Sequence, residues 1–134
     1  MKARITIRFG FEVKNGDDLL GIDELLCIHP SVMKSDFPKQ SLAKPHWETE
    51  VSEETYEVSS VFQSLQKRLE PKLQQIKILQ QQPDVRPYFL VLIDADFEHR
   101  PFVSFSPQQL EFIHTTRAEV IIDLEATYPQ DDQK

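Results

Sequence analysis

The residue pattern near the start of the chain constrains the fold more than any other feature. Apolar residues recur at every second position from 3 to 13, namely Ala3, Ile5, Ile7, Phe9, Phe11 and Val13. The positions between them include Arg4, Thr6, Arg8 and Glu12. This period of two predicts a β-strand with one buried face and one wetter face.

Three further segments are typical of strands. Residues 88–97 are the strongest, with Phe89 and Val91 on one side and Leu90 and Leu92 on the other. Residues 46–51 also alternate, and Glu119–Thr127 forms the last strand. In that last strand we expect the side chains of Val120, Ile122 and Leu124 to lie inside, and those of Ile121, Asp123 and Glu125 on the other face. We also expect a short strand at 102–105.

Three segments between these strands have the apolar spacing of helices. Apolar residues at 22, 25, 26 and 28 predict a helix that ends before Pro30. A longer helix is predicted over 61–79, capped by Ser59 or Ser60 and kinked or split at Pro71. Ser106 caps a third helix with Pro107 at its first position, where proline is favoured.

The remaining segments, a loop and the C-terminal tail, set the expected limits of the domain. We expect a long exposed loop from Ser31 to Pro45, the only basic segment of the chain, and a disordered tail over 129–134. Without an internal linker or repeat, residues 1–128 form a single domain. The predicted fold is an α+β two-layer sandwich, with a mixed sheet of four or five strands and helices mainly on one face.

Composition excludes several functional classes. The net charge of −7 over 134 residues argues against a nucleic-acid binder, which needs clustered Lys and Arg. It is compatible with a basic protein partner, although acidity also simply maintains solubility. No apolar run reaches the roughly 20 residues that span a bilayer, so we expect no membrane role. The single cysteine, Cys27, among apolar neighbours, predicts a buried inert thiol and a reducing cytoplasm.

Four carboxylates are the obvious candidates for chemistry: Asp94, Asp96, Asp123 and Glu125. If their strands are neighbours, all four share one face and form a conceivable Mg²⁺ or Ca²⁺ site. The favoured interpretation pairs them with Arg4 and Arg8 across the sheet. The histidines lack metal-ligand spacing and no nucleophile or phosphate-loop motif is present, so we predict no catalytic, cofactor-binding or metal-ligating residue and no cofactor.

Two places are candidates for binding a partner. Trp47 follows the basic loop and is either a binding anchor or, as we favour, a core residue covering the sheet. The open sheet face, with Leu90, Leu92 and Ile121 among charges, is the better interaction surface.

Several ordered landmarks carry a family resemblance. They are Ile22-Asp-Glu-Leu-Leu-Cys-Ile-His-Pro30, Lys34-Ser-Asp36, Trp47, Leu65-Gln-Lys-Arg-Leu-Glu-Pro71, Phe105-Ser-Pro-Gln-Gln-Leu110 and Ile122-Asp-Leu124. In this order the chain resembles the bacterial proteins grouped as domain of unknown function 4279 (DUF4279). The resemblance implies a small cytoplasmic α+β protein with no catalytic residues to carry over, and an association with toxin-immunity genes.

The first hypothesis is therefore a non-catalytic protein-binding module, in particular an immunity-like acidic inhibitor of a basic toxin. Its candidate partner-binding residues are Trp47, Asp94, Asp96, Asp123 and Glu125. One alternative is a metal-dependent hydrolase that uses the carboxylates. Another is a homo-oligomeric structural protein that buries its open sheet face by self-association.

Overall fold

A computed structural model describes residues 3–15, 18–27, 32–34, 45–96, 98 and 101–127. Its strands are β1 (Arg4–Val13), β2 (Val32–Lys34), β3 (His46–Glu54), β4 (Val85–Asp96) and β5 (Glu119–Thr127). They form one sheet in the order β2-β3-β1-β4-β5. All neighbours are antiparallel except β4 and β5, which are parallel. The predicted mixed sheet of an α+β fold is confirmed.

Helices supply the second layer. They are α1 (Asp18–Leu26), α2 (Val58–Leu69), α3 (Leu73–Gln80) and α4 (Pro107–Thr116). The core lies between them and the odd-numbered side of β1, where Ile5, Ile7, Phe9 and Phe11 have no exposed area. Phe62 of α2 contacts Phe89 of β4 with ring centroids 5.1 Å apart. The helices therefore cover the face that the alternation predicts to be buried.

Pro71 divides the long predicted helix in two. α2 ends at Leu69, a single 3-10 turn spans Glu70–Lys72, and α3 follows, because proline cannot donate the next helical hydrogen bond. The predicted cap at Ser59 or Ser60 is wrong, since α2 begins at Val58. The Ser60 hydroxyl instead donates to the carbonyl of Glu57, inside the first turn.

The closing strand-helix-strand unit is partly as predicted. Ser106 caps α4 in a capping box with Gln109, and Pro107 is the first helical residue. No strand forms at 102–105. Only an isolated bridge joins Phe102 to Glu57, and Phe102 is 91% exposed.

The expectation that the apolar side chains of β5 lie inside is also wrong. Val120, Ile122 and Leu124 do face the helix side, opposite Phe89, Val91 and Ile93 of β4, but they are 37%, 49% and 42% exposed. The reason is the position of α4, whose Phe112 packs against Phe62 of α2 and leaves the outermost strand uncovered.

Two other expectations, the long loop and the disordered tail, fall mostly on residues outside those that the structure describes. Residues 32–34 of the predicted loop form β2 and pair with β3, whereas 31, 35–44 and the predicted tail, 129–134, lie outside the described residues. The domain bounds stay a prediction.

Cys27 is exposed rather than buried, because it follows the last residue of α1 in a left-handed conformation, with φ of 53°. Its thiol donates to the carbonyl of Glu24.

Candidate functional site

The sheet face opposite the helices is the candidate functional surface. In the pairing register, the even positions of β1, β3 and β4 and the odd positions of β5 share this side. We call it the open face. Most side chains on it are polar, but β4 and β5 also place Leu90, Leu92 and Ile121 there. Such a mixture of apolar and charged groups is typical of surfaces that bind other proteins.

The two arginines of β1 on the open face are paired with β3. Arg8 Nε donates to Glu50 Oε1 at 2.9 Å, and its Nη1 lies 3.3 Å from Glu48 Oε1. Arg4 Nη2 lies 4.0 Å from Glu54 Oε1. The expected ladder between these arginines and the acids of β4 and β5 is therefore wrong. β1 has neighbours on both sides, and the two arginines lean towards β3.

Glu48 is the most deeply buried acid on this face. It is only 3% exposed, and it accepts hydrogen bonds from Arg8 and from the hydroxyl of Tyr88. His46 Nε2 lies 3.9 Å from Glu48 Oε1. Burial of Tyr88, followed by its bond to this carboxylate, raises the pKa of the phenol above its ordinary value. These groups satisfy one another in the way that a buried carboxylate requires.

Gly10 makes the bond between Tyr88 and Glu48 possible. Glu48 and Tyr88 lie on β3 and β4, with β1 between them, and both are opposite Gly10 in register. A β-carbon at Gly10 would lie 2.7 Å from Cζ and Oη of Tyr88. The ring therefore crosses β1 at the one position of that strand without a side chain.

A shallow cleft adjoins this cluster. Its volume is about 150 Å³, and it is lined by Glu12, His46, Arg86, Pro87, Tyr88, Glu119 and Ile121. Arg86 closes one side, with Nη1 3.4 Å from Glu12 Oε1 and Nη2 3.8 Å from Glu119 Oε1. The volume is below the roughly 300 Å³ at which small-molecule sites begin. The cluster is thus best explained as internal packing of the sheet.

Three of the predicted acids of β4 and β5 differ from Glu48 in that they are not part of a network of ion pairs with the residues that the structure describes. Asp94 lies opposite Glu125 in register, and Leu92 lies opposite Asp123. Asp94, Glu125 and Leu92 line a shallow hollow of about 190 Å³. Among the described residues, none of Asp94, Asp123 and Glu125 forms a salt bridge. Arg4 lies opposite Asp94 in register and lines the same hollow, but its guanidinium pairs with Glu54, so the three carboxylates form no close ion pair with the described residues.

Asp96 lies at the end of β4, opposite Thr127, where its Oδ1 accepts from the backbone N–H of Glu98 at 3.5 Å. In the described part of the chain, no three His, Cys, Asp or Glu side chains are grouped closely enough to hold a metal ion. The carboxylates share a face, as the alternation predicts, but without the convergence that a hydrolytic metal centre needs.

Trp47 lies in the core. It has no exposed area, its ring packs 6.3 Å from that of Phe11, and its indole N–H donates to Asp23 Oδ1 at 3.1 Å. This position agrees with the favoured interpretation of Trp47 as a core residue. A side chain without exposed area offers no contact to a partner that binds this conformation.

Sequence reasoning missed Gly10, Glu48 and Tyr88 as a unit. The available signal was the glycine itself, because a glycine in the middle of an otherwise alternating strand often marks the close approach of another group. Nothing in the sequence identified that group, because the order of the strands was open.

Comparisons with known proteins give one match. Residues 16–127, from the segment before α1 to the last residue of β5, match the family described as domain of unknown function (DUF4279). No curated protein and no solved structure matches the chain. Within the described residues, none of the helices combines the length and the apolar character that a membrane span requires. Since the match extends over most of its length, the chain belongs to the DUF4279 family.

Proposed function

We propose that the chain is a non-catalytic protein-binding module whose open face binds a basic partner protein. The observation that carries the proposal is one surface, which we call the acidic patch. It consists of the carboxylates of Asp94, Asp123 and Glu125 and of the apolar side chains of Leu90, Leu92 and Ile121, which continue the same face towards the start of β4 and β5. Apolar side chains that adjoin charged ones are common in protein interfaces.

The charge distribution favours a basic partner. Arg4, Arg8 and Arg86 each pair with a glutamate on this face, whereas the carboxylates of the acidic patch have no such partner among the described residues. Lysines or arginines of a partner would therefore gain attraction without displacing an existing ion pair. The net charge of −7 adds long-range steering of a basic protein towards the patch.

Within this class we propose an immunity-like role, in which the chain inhibits a basic toxin in the cytoplasm. An inhibitor needs a complementary surface rather than a reactive group, which agrees with the lack of catalytic motifs in the sequence. The exposed free thiol of Cys27 is also compatible with a reducing compartment.

The test uses two triple variants with the same change in net charge. The patch variant carries Asp94→Asn, Asp123→Asn and Glu125→Gln. The control variant neutralises exposed acids elsewhere, with Glu24→Gln, Asp84→Asn and Glu111→Gln. Proteins retained by the immobilised chain are identified by mass spectrometry, and the retained partner is then purified and titrated calorimetrically at several salt concentrations.

We expect a basic protein whose affinity falls with salt and falls at least about tenfold in the patch variant, but not in the control. Equal loss in both triple variants would indicate a general charge effect and contradict the proposed site. If the co-expressed toxin is neutralised by the wild-type chain and by the patch variant alike, the immunity role of this surface is wrong.

A further inference from the structure

Among the described residues, no strand pairs with the outer edge of β5. β5 is nine residues long and is the last strand on its side of the sheet. It contains no lysine or proline, the residues that usually block edge pairing. Its side chains from Glu119 to Glu125 are exposed on both faces, including Val120, Ile122 and Leu124. Long, exposed and apolar edges of this kind are templates for another strand.

The opposite edge of the sheet is different. There the last strand is β2, which has only three residues. Very short edge strands are one of the ways in which proteins prevent pairing with other chains. Within the described residues the two edges thus differ in length, and β5 is the one long enough to pair with a complete strand.

We propose that the basic partner adds a β-strand to the free edge of β5. This inference rests on the proposed function and specifies how the partner binds. Neighbouring strands of a sheet share the same alternation of faces. On one side, the added strand would place Lys or Arg beside Asp123 and Glu125. On the other, it would place apolar side chains beside Val120, Ile122 and Leu124. The recognised chemistry is an extended segment in which basic and apolar residues alternate.

A second copy of the chain fits this edge poorly. Two β5 strands related by a two-fold axis through the sheet pair odd positions with odd positions. Their odd positions are Glu119, Ile121, Asp123, Glu125 and Thr127. Each antiparallel register that overlaps most of the strand then places carboxylates opposite carboxylates or beside Ile121, and like charges directly opposite are destabilising. Charge complementarity therefore favours a basic strand over self-pairing.

The probe is a nine-residue peptide of alternating lysine and valine. A second peptide has the same sequence with its central amides N-methylated, which keeps the charge and side chains but removes the backbone donors. Binding is measured by calorimetry, and hydrogen exchange is followed for the amides of residues 119–127. The chain variants are Ile122→Lys on the β5 edge and Ile78→Lys on α3, whose isoleucine is similarly exposed.

We expect the unmodified peptide to bind, to slow exchange of β5 amides about tenfold or more, and to lose about tenfold or more in affinity on N-methylation. Ile122→Lys should weaken binding, whereas Ile78→Lys should not. Equal binding of both peptides without protection of β5, but with loss in the patch variant, would overturn strand addition and leave the proposed function standing. No binding of either peptide to the wild-type chain, or protection of β5 through self-association alone, would overturn this inference. The patch variant's effect on the natural partner would then decide the proposed function separately.

Discussion

Replacing Gly10 by alanine tests the closest packing on the open face. A β-carbon at this position would lie 2.7 Å from the carbonyl oxygen of Trp47 and 2.7 Å from Cζ and Oη of Tyr88. Favourable carbon contacts lie at about 3.5–4.0 Å, so both neighbours would have to move. Gly10 does not have a positive φ, and alanine therefore meets no backbone strain of its own. The whole effect should come from displacement of these neighbours.

The magnitude follows from what can move. The Tyr88 ring can shift as a side chain, whereas the Trp47 oxygen belongs to the backbone of β3, so relieving that contact also strains the pairing of β3 with β1. Overpacking of this kind costs about 1–3 kcal/mol. Loss of the Tyr88 hydroxyl from the buried carboxylate of Glu48 adds about 1 kcal/mol or more, since hydrogen bonds to charged groups are stronger than average. We expect Gly10→Ala to lower the free energy of unfolding by about 2–4 kcal/mol.

Gly21→Ala provides the matched control. Gly21 is exposed within α1, and a β-carbon there would have nothing within 4 Å. The same substitution should raise the free energy of unfolding by about 0.5–1 kcal/mol, because alanine has the higher helix propensity. Urea titrations monitored by circular dichroism measure both variants. Unchanged stability of Gly10→Ala, or equal shifts of the two variants, would refute the proposed packing of Tyr88 across β1.

Three further variants test other contacts. The raised pKa of Tyr88 keeps its phenol protonated in the folded chain, whereas an unfolded tyrosine ionises near pH 10. The free energy of unfolding of the wild type should therefore fall above about pH 10, by up to about 1.4 kcal/mol per pH unit. In Tyr88→Phe this part of the alkaline loss of stability should disappear. Urea titrations across this range check it, and an unchanged slope would contradict the buried phenol. Asp23→Ala should lower the free energy of unfolding by about 1–2 kcal/mol, because it leaves the indole N–H of Trp47 without an acceptor, and Asp23→Asn should lower it less. Unfolding is followed by the fluorescence of this single tryptophan, and equal losses in the two variants would argue against the hydrogen bond. Asp94→Asn should raise the free energy of unfolding by about 0.2–1 kcal/mol by relieving repulsion from Glu125, because Arg4, which lies opposite Asp94 on β1, pairs with Glu54 instead. A destabilised variant in thermal unfolding would indicate that Arg4 compensates the charge of Asp94.

The sequence pattern correctly predicted which face of β1 and of β4 is buried, because apolar side chains are driven away from water. The alternation in β1 and β4 gave the correct buried side for Phe9, Phe89 and Val91. The same rule placed Ile122 and Leu124 on the helix side but could not tell that no helix covers them. Face depends on the period of a strand alone, whereas cover depends on where α4 packs. That position is set by contacts between helices, such as Phe112 with Phe62.

The site was less predictable for a related reason. Alternation assigned Arg8 to the polar side of β1, but this strand has β3 on one edge and β4 on the other. Only the strand order and register show that Arg8 faces Glu50 and Glu48 across one edge and Leu90 across the other. The predicted ladder was wrong even where the register brings opposite charges together: Arg4 lies opposite Asp94 on one side and Glu54 on the other, and its guanidinium pairs with Glu54.

This asymmetry supports the proposal that β4 and β5 form the binding surface. A sheet optimised only for stability would distribute its cations over both sides of β1, but the two arginines of β1 pair with β3 alone. Arg4 lies opposite Asp94 but pairs with Glu54, so Asp94 and Glu125 face one another without a salt bridge to the described residues, an arrangement of like charges that costs stability. Proteins retain such costs where a surface has another purpose, because neutralising it would remove a binding site while stabilising the fold. Asp94→Asn therefore separates the two roles: a variant that is more stable and binds its partner less well is the expected signature of a binding surface.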